Sequence, residues 1–424
     1  MKNPQKKSVV FALLVVTVIV LTSFLFREPP LGDSPLPTET PTETDRPTSE
    51  PTPPRNLYPV FSESTAYGSL SRVGSQGRDS AEKSYLLGEF LYLFFSSDSA
   101  GYDSPASDSL SLAKLDKNGV LLSVLGINSE VNEPALRYRS SKPVQNGIVL
   151  SAGNDRSHFL IYISLDLAVI KSVRTDYSPT ASAMYFFNDK LYVFYAGGSS
   201  LSCVEFDGEL NSIDTKSMLL KAPFDILNIY PEDAEDLLVA VNFSEGFSLL
   251  RLRLHVGFSD ALSGEKRLAD IVPSKDGYAF LFENGGLSIC DRALKNFTEK
   301  HFDGTLGELV KTTFGYVLSV KKTDTTEFFF LCPHFDTLLK KTVNGIAVLK
   351  NLNGTPYAVV TEQAYVHFFK LTDFDILPVL TTTAVNATFI DSHAGQDSRI
   401  FLLSASAVTG RNGYGGTDIF VLIF

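Results

Sequence analysis

The side chains that most often carry out catalysis are scattered along this 424-residue chain. Its six histidines lie far apart, and none has the HExxH spacing of a zinc site. Two Ser-x-x-Lys patterns, Ser80 to Lys83 and Ser111 to Lys114, match a serine nucleophile with its lysine, but neither is followed by the usual Ser-Asp-Asn or Lys-Thr-Gly partner. GxSxG, P-loop and GxGxxG patterns are absent. The sequence therefore predicts no catalytic residue, no metal site and no cofactor.

Two long polar loops, residues 96–109 and 404–416, are the main candidates for binding. Tyr and Arg contribute much of the energy of interfaces because they bury a large area and keep a polar group. The predicted binding residues are Asp98, Tyr102, Asp103, Asp108, Arg411, Asn412 and Tyr414. Two alternatives stay open: both loops are solvated, disordered insertions, or the three aspartates hold Ca²⁺, although their five-residue spacing is not that of an EF-hand.

Both loops interrupt a pattern that occurs eight times between Ala81 and Phe424. Each unit has an apolar β-type run, a polar loop, a second alternating run and a tight turn that usually carries an Asp. The second runs start 38 to 52 residues apart, which is the period of a four-stranded propeller blade. These second runs are Leu110–Leu115, Phe159–Leu165, Leu201–Phe206, Leu249–Leu254, Leu287–Cys290, Phe328–Leu331, Val366–Leu371 and Asp418–Phe424.

The aspartates of the tight turns recur from unit to unit. We interpret them as caps of the turns and not as a functional series, because Asp side chains commonly bond to the backbone of such turns. They are Asp116, Asp166, Asp207, Asp291, Asp336 and Asp373.

In period and strand pattern, the repeats resemble the β-propeller superfamily over nearly all of residues 57–424. The resemblance implies an all-β, eight-bladed β-propeller, with seven blades and an irregular hairpin as the alternative. The chain lacks the Trp-Asp pair of WD40 repeats, the Gly-Gly signature of kelch repeats and the Asp box of sialidase-like propellers. No site residue can therefore be carried over from those families.

The eighth unit lacks a fourth strand, since the chain ends after its third strand. Residues 57–62 have the composition of a strand, and residues 67–73 resemble a first strand of blade one. We expect the N-terminal strand to fill the missing outer position of the last blade, because this removes two open sheet edges. Blades one and eight are then neighbours, and their two long loops lie side by side.

Residues 1–56 predict a membrane anchor and a spacer. Three lysines in the cytoplasmic segment 1–7 precede an uncharged stretch, residues 8–26, which spans about 28 Å as a helix and so can cross a bilayer as a signal anchor. The lysine excess places the N-terminus in the cytoplasm. A cleaved signal peptide is the alternative. Residues 27–56 are rich in Pro, Thr and Glu and predict a disordered spacer.

The net charge and the cysteine content argue against some kinds of partner and site. A net charge of −11 argues against a nucleic-acid partner, because phosphate binding needs a basic face. Cys203, Cys290 and Cys332 are an odd number without CxxC spacing, so they predict neither a disulfide framework nor a zinc site. We expect them to be small buried hydrophobic residues.

Together these features predict a single-pass membrane protein with an extracytoplasmic propeller, at residues 57–424, that binds a protein, peptide or glycan or serves as a scaffold. The alternative is an extracytoplasmic hydrolase of glycans with carboxylates at the channel mouth, since carboxylates in a propeller converge in space and not in sequence. The absence of Trp, which stacks on sugar rings, and of a nucleophile motif favours binding.

Overall fold

The computed structural model describes residues 62–65, 68–73, 78–97, 109–177, 181–233, 236–274, 276–362, 364–372, 374–395, 398–408, 411–412 and 417–424. The strands of this part of the chain form eight antiparallel sheets, and each sheet is one blade of a β-propeller. The predicted all-β, eight-bladed fold is therefore confirmed. The predicted anchor at residues 8–26 and spacer at 27–56 lie outside the described residues. No helix in the described ranges is long and apolar enough to cross a membrane.

The first strands in the chain are β1 (Ser62–Thr65) and β2 (Gly68–Val73). Blade one contains β3 (Asp79–Leu87), β4 (Phe90–Ser97), β5 (Ser109–Leu115) and β6 (Leu121–Gly126), followed by the short helix α1 (Ile127–Val131). Blade two contains β7 (Arg137–Val144), β8 (Gly147–Gly153), β9 (His158–Ser164) and β10 (Val169–Thr175). Blade three contains β11 (Ala181–Phe187), β12 (Lys190–Gly197), β13 (Ser200–Phe206) and β14 (Ser212–Leu219). Blade four contains β15 (Asp225–Pro231), β16 (Asp236–Asn242), β17 (Phe247–Arg253) and β18 (Gly257–Gly264).

Blade five contains β19 (Leu268–Pro273), β20 (Gly277–Phe282), β21 (Gly286–Asp291) and β22 (Thr298–His301). Blade six contains β23 (Thr305–Lys311), β24 (Tyr316–Lys321), β25 (Thr325–Leu331) and β26 (Thr337–Asn344). Blade seven contains β27 (Ile346–Leu352), β28 (Thr355–Thr361), β29 (Tyr365–Thr372) and β30 (Asp375–Val385). Blade eight begins with β31 (Thr388–Ala394) and β32 (Arg399–Ala405); β33 (Ala407–Val408), β34 (Arg411–Asn412) and β35 (Asp418–Ile423) follow in the chain.

The first strand of each blade lies innermost in the ring. These strands contact one another in succession from β3 through β7, β11, β15, β19, β23 and β27 to β31, and β31 contacts β3 again. The eight innermost strands thus enclose the central channel. Each of the eight predicted alternating runs is the third strand of its blade, or for blade eight the strand β35.

Blade eight is closed by the N-terminal part of the chain, as predicted. Its strand order is β31, β32, β35, β2 and β1, with Ser69 opposite Ile423 and Val73 opposite Ile419. The strand that fills the position is Gly68–Val73, so its assignment to blade one was wrong; residues 57–61 lie outside the described residues. Leu70 and Val73 fill the core, and buried Arg72 forms an ion pair with Asp418 of β35 at 3.5 Å.

Blade one begins instead with β3. A tight turn in which Gly88 adopts φ +64° separates β3 from β4. Both strands are rich in apolar residues, so hydrophobicity alone gives no boundary between them.

Burial explains why the middle strands are continuously apolar. Every residue of β8 is buried, because both faces of a blade pack against neighbouring blades. The outer strand β10 instead alternates between partly buried and exposed residues, since it borders solvent. Buried side chains such as Phe94 of blade one and Ile161 of blade two share one core cluster, which holds adjacent blades together.

Three of the predicted aspartates cap the tight turn between a third and a fourth strand. Asp116 Oδ1 accepts from the Asn118 and Val120 amides, and Asp207 and Asp291 make equivalent bonds. Asp166 and Asp336 are exceptions, because they pair with Lys114 and Lys300 of the preceding blades at 3.3 and 2.6 Å. Asp373 lies outside the described residues. In four of these turns the fourth residue is apolar and adopts a positive φ. These residues are Leu167, Leu210, Leu294 and Phe335.

All three cysteines are free thiols. Cys203 and Cys290 are buried, as expected. Cys332 is only partly buried, so its expected burial was wrong. It takes the capping place of a turn, where its Sγ accepts a hydrogen bond from the Asp336 amide at 3.4 Å.

Candidate functional site

The predicted binding loops are only partly described. Asp98, Tyr102, Asp103, Asp108 and Tyr414 lie outside the described residues, so their role stays a prediction. Arg411 and Asn412 form β34, whose backbone pairs with Val408 and Ala407 of β33.

The second loop extends a neighbouring blade. Residues Ala407 and Val408 of β33 pair with Val385 and Ala384 of β30, so the connection between β32 and β35 adds a hairpin to the outer edge of blade seven. This part of the loop is therefore strand, which the Gly- and Ser-rich sequence did not indicate. We call the face that carries the connections between second and third strands the top face; this hairpin lies on it.

A second candidate site was missed by the sequence analysis. Polar side chains of the innermost strands bond from blade to blade around the channel, and we call this set the channel seam. Between blades eight and one it contains Ser84, Asp391 and His393. The Ser84 hydroxyl donates to Asp391 Oδ2 at 3.0 Å, and the Ser84 Oγ atom lies 2.7 Å from His393 Nε2.

These three residue types are those of a catalytic triad, but their arrangement is not. In a triad the carboxylate bonds to Nδ1 of the histidine while Nε2 takes the serine proton. Here Asp391 Oδ2 lies 3.8 Å from Nε2, the nitrogen that also faces Ser84. When the Ser84 hydroxyl donates to Asp391, the 2.7 Å contact is satisfied by the tautomer that carries its proton on Nε2, and this nitrogen then donates to Ser84 Oγ instead of acting as a base. Ser84 is also only 1% exposed.

Burial lowers the pKa of His393, and Lys83 and Lys350 lower it further, while Asp391 partly offsets them. The imidazole is thus held neutral in a buried hydrogen-bonded group. This group stabilises the contact between blades eight and one.

The seam continues between blades one and two and between two and three. The Tyr85 hydroxyl donates to the Ser141 carbonyl oxygen at 2.8 Å. Ser140 Oγ lies 3.0 Å from Ser182 Oγ of blade three. These bonds join the innermost strands of adjacent blades.

On the opposite side of the ring, the seam contains two carboxyl groups. Asp270 accepts from the Tyr230 hydroxyl of blade four at 3.2 Å and from the Ile271 amide at 2.8 Å. Burial raises the pKa of Asp270, and the charge of Glu308 adds to this effect. A raised carboxyl pKa is a property that a general acid needs.

Glu308 is committed to contacts that join its own blade to the next. Its Oε2 atom accepts from Ser319 Oγ at 3.0 Å and from the Leu349 amide of blade seven at 3.2 Å. Its Oε1 atom faces Lys321 Nζ at 3.5 Å. The carboxylate is thus held by blades six and seven, and acting as a nucleophile or base would require it to break these bonds.

A further polar cluster is buried between blades two and three. His158 is 3% exposed, and its two ring nitrogens lie 2.7 Å from Ser151 Oγ and Thr175 Oγ1. Ser151 Oγ in turn lies 2.8 Å from Ser182 Oγ. The Tyr195 ring packs edge-on against His158 at 5.4 Å. This cluster joins two blades and has no opening for a ligand at His158.

Metal binding has no support in the residues that the structure describes. No group of three or more His, Cys, Asp or Glu side chains there is close enough to hold an ion. The Ca²⁺ alternative for Asp98, Asp103 and Asp108 falls outside the described residues.

Comparisons with known proteins bear on the fold. No protein-family model matches the sequence, and no curated protein matches it. Among solved structures, the chain is similar to BamB from Moraxella catarrhalis, with a TM-score of 0.51 and 11% identity over 83% of this chain and 97% of BamB. The designed protein Ika8 gives a TM-score of 0.51 at 10% identity, covering 83% of this chain and 98% of Ika8.

A third similar structure is that of NirN, a dihydro-heme d1 dehydrogenase, in complex with DHE. Its TM-score is 0.51 at 15% identity, over 84% of this chain and 82% of that protein. At such low identities these similarities show the β-propeller fold alone.

Proposed function

We propose that this chain is a binding or scaffold module: a β-propeller displayed outside the cytoplasm, held to the membrane by residues 8–26, that captures a protein, peptide or glycan on its top face. The observation that carries the proposal is that the potentially catalytic side chains of the channel seam are already hydrogen-bonded. Ser84, His393 and Glu308 have the chemistry for catalysis, but their reactive atoms are engaged in bonds between blades.

The top face supplies a structured platform for recognition. The β33–β34 hairpin of blade eight is built onto blade seven, so Arg411 and Asn412 sit on a strand attached to the ring. Residues presented by a rigid scaffold lose less entropy on binding than residues of a free loop. We place the recognition patch here, with Asp98, Tyr102, Asp103 and Asp108 of the blade-one loop and Tyr414 completing it.

Capture of a partner tests this proposal. The partner is first identified from the native cell surface with the full-length protein, and its Kd is then measured with Tyr102→Ala/Tyr414→Ala. We expect the Kd to rise tenfold or more, on the order of 1.4 kcal/mol. The matched control is Phe297→Ala, which removes an aromatic ring that is 45% exposed at a turn on the opposite face. Equal Kd values for the wild type and the double variant would refute the recognition patch.

The membrane topology has its own test. Protease added to intact cells should release a fragment that begins within residues 29–59 and leave the N-terminus in the membrane. A mature protein without residues 1–26 in the medium would contradict the anchor and leave the propeller unaffected.

A glycan hydrolase is the second candidate function, and the raised pKa of Asp270 is the observation that favours it. Turnover of a glycan substrate that Asp270→Asn abolishes, with unchanged thermal stability, would establish this function in place of binding alone.

A further inference from the structure

A cavity of about 140 Å³ lies between blades two and three, on the face opposite the top face. Its floor is aliphatic, because Val149 of β8, Leu191 of β12 and the turn residue Leu210 line it and are each at most 3% exposed. An apolar cavity of about 150 Å³ is known to bind benzene. This cavity is therefore large enough for one six-membered ring.

Two aromatic side chains form the walls of the cavity. Tyr162 of β9 belongs to blade two and Phe186 of β11 belongs to blade three, and both are partly buried against the core between these blades. The Tyr162 ring lies against the backbone of Gly147, where a Cβ atom would come within 2.6 Å of a ring carbon. Packing thus holds this ring in place before any ligand arrives, which reduces the entropy lost on binding.

The rim of the cavity is negatively charged. Asp189 and Asp207 line it, and no Lys, Arg or His is among the lining residues. Asp207 is engaged in its own turn, because it accepts from the Glu209 and Asn211 amides, and Lys171 of blade two bonds to Asn211 beside it. Asp189 is exposed, and its carboxylate forms no ion pair or hydrogen bond with any residue that the structure describes. A cation that enters the cavity therefore meets a carboxylate that is free to pair with it.

We propose that this cavity binds a small arylalkylammonium ion, whose ring lies on the aliphatic floor and whose ammonium group lies at the rim beside Asp189. Burial of the ring removes apolar surface from water. The ammonium group gains a charge-assisted hydrogen bond to the carboxylate, and aromatic walls such as Tyr162 also attract a cation. The site lies on the face opposite the two long loops, so it goes beyond the proposed function.

Isothermal titration calorimetry of the full-length protein tests the ligand class with three probes. The first is 2-phenylethylammonium, which should bind saturably. The second, 3-phenylpropanoate, has the same ring with the opposite charge, and the third, propylammonium, has the charge without the ring. We expect both to bind at least tenfold more weakly than the first, because each lacks one of the two matching groups. No saturable binding of 2-phenylethylammonium, or equal binding of 3-phenylpropanoate, would overturn the proposal.

Asp189→Asn tests the contribution of the carboxylate. Asn188 and Asp189 form the two-residue turn between β11 and β12 at φ +49° and +58°, a conformation that Asn adopts readily, so the variant keeps the turn and loses the charge. Its Kd for 2-phenylethylammonium should rise at least threefold, as expected for the loss of an exposed ion pair. The matched control Asp155→Asn removes the same charge from an exposed turn on the top face and should keep the wild-type Kd. Equal Kd values for Asp189→Asn and the wild type would contradict the proposal.

Gly208→Phe tests the location of the site. Gly208 lines the cavity, its φ is outside the left-handed region, and a Cβ atom there would have no other atom within 4 Å. The variant therefore adds a ring at the mouth of the cavity without a clash, and the Kd for 2-phenylethylammonium should rise tenfold or more. Gly197→Phe is the matched control, because Gly197 has the same free space at the exposed end of β12 on the top face. Thermal unfolding checks that both variants fold; equal Kd values for the two folded variants would place the ligand elsewhere and overturn the proposal.

Discussion

The buried histidine between blades two and three makes the stability of this propeller depend on pH. His158 is enclosed by Ser151, Thr175 and Tyr195, and burial lowers its pKa to about 4, with a smaller contribution from the nearby charge of Arg139. In the unfolded chain the pKa is near 6.5. Between these two values the unfolded chain binds a proton that the folded chain does not, so folding becomes less favourable as the pH falls.

The size of the stability change follows from the difference between the pKa values of His158 in the folded and unfolded chain. A difference of about 2.5 pKa units at about 1.4 kcal/mol each corresponds to roughly 3 kcal/mol. His158 should contribute this stability fully above pH 6.5 and lose it as the pH falls to about 4. The replacement His158→Gln keeps an amide that can bond to the hydroxyls but does not titrate, so its free energy of unfolding should fall less over this range.

Urea unfolding at a series of pH values measures the effect. Wild type and His158→Gln are compared, and the difference between their free energies of unfolding should change by roughly 3 kcal/mol between pH 6.5 and pH 4. Carboxylates titrate in both proteins and cancel in this difference. His301→Gln, which changes an exposed histidine of β22, is the control. A constant difference between wild type and His158→Gln across the range would refute the buried, neutral state of His158.

Two further predictions concern the ring. Deleting residues 62–73 should lower the free energy of unfolding by several kcal/mol, because blade eight loses the hydrogen bonds between β2 and β35 and the buried ion pair between Arg72 and Asp418. Deleting residues 29–54 should leave the free energy of unfolding almost unchanged. Equal unfolding temperatures of the two deletion variants would contradict the closure. Leu210→Ala should lower the free energy of unfolding by about 2–5 kcal/mol, because this turn residue is 3% exposed and packs in the core between blades two and three. Leu219→Ala, which changes a side chain that is 78% exposed, should lower it little. Similar losses for both variants in denaturant unfolding would show that the Leu210 side chain is not part of the core.

The repeat pattern predicted most of the fold because its signal is strong and local. Alternating runs such as Leu201–Phe206 mark the third strands, and turn aspartates such as Asp207 mark their ends. Counting the strands of each repeat predicted that blade eight needs an outer strand from elsewhere in the chain. The identity of the closing strand did not follow from the sequence. Both residues 57–62 and residues 67–73 allow a strand, and the buried ion pair of Arg72 with Asp418 of β35 is visible only in the fold.

The channel seam could not be predicted from the sequence. Ser84 and Asp391 are 307 residues apart, and they meet only because the ring brings blade eight next to blade one. The turn residues were missed for another reason: Leu167 and Leu210 adopt positive φ, a conformation usually associated with Gly or Asn, because their side chains pack between blades.

The closure of the ring by β2 is the central claim, because the bonds of Ser84 to Asp391 and the expected proximity of the two long loops both depend on it. A disulfide between Ser69→Cys and Ile423→Cys tests it directly, since these residues are opposite each other in the β2–β35 pair, at a Cα separation suited to a disulfide. The matched control combines Ser69→Cys with Leu422→Cys, whose side chain points to the other face of the blade. Peptide mass spectrometry after oxidation of the full-length protein should find the intrachain 69–423 disulfide and no 69–422 disulfide; absence of the 69–423 bond, or equal yields of both, would contradict the closure.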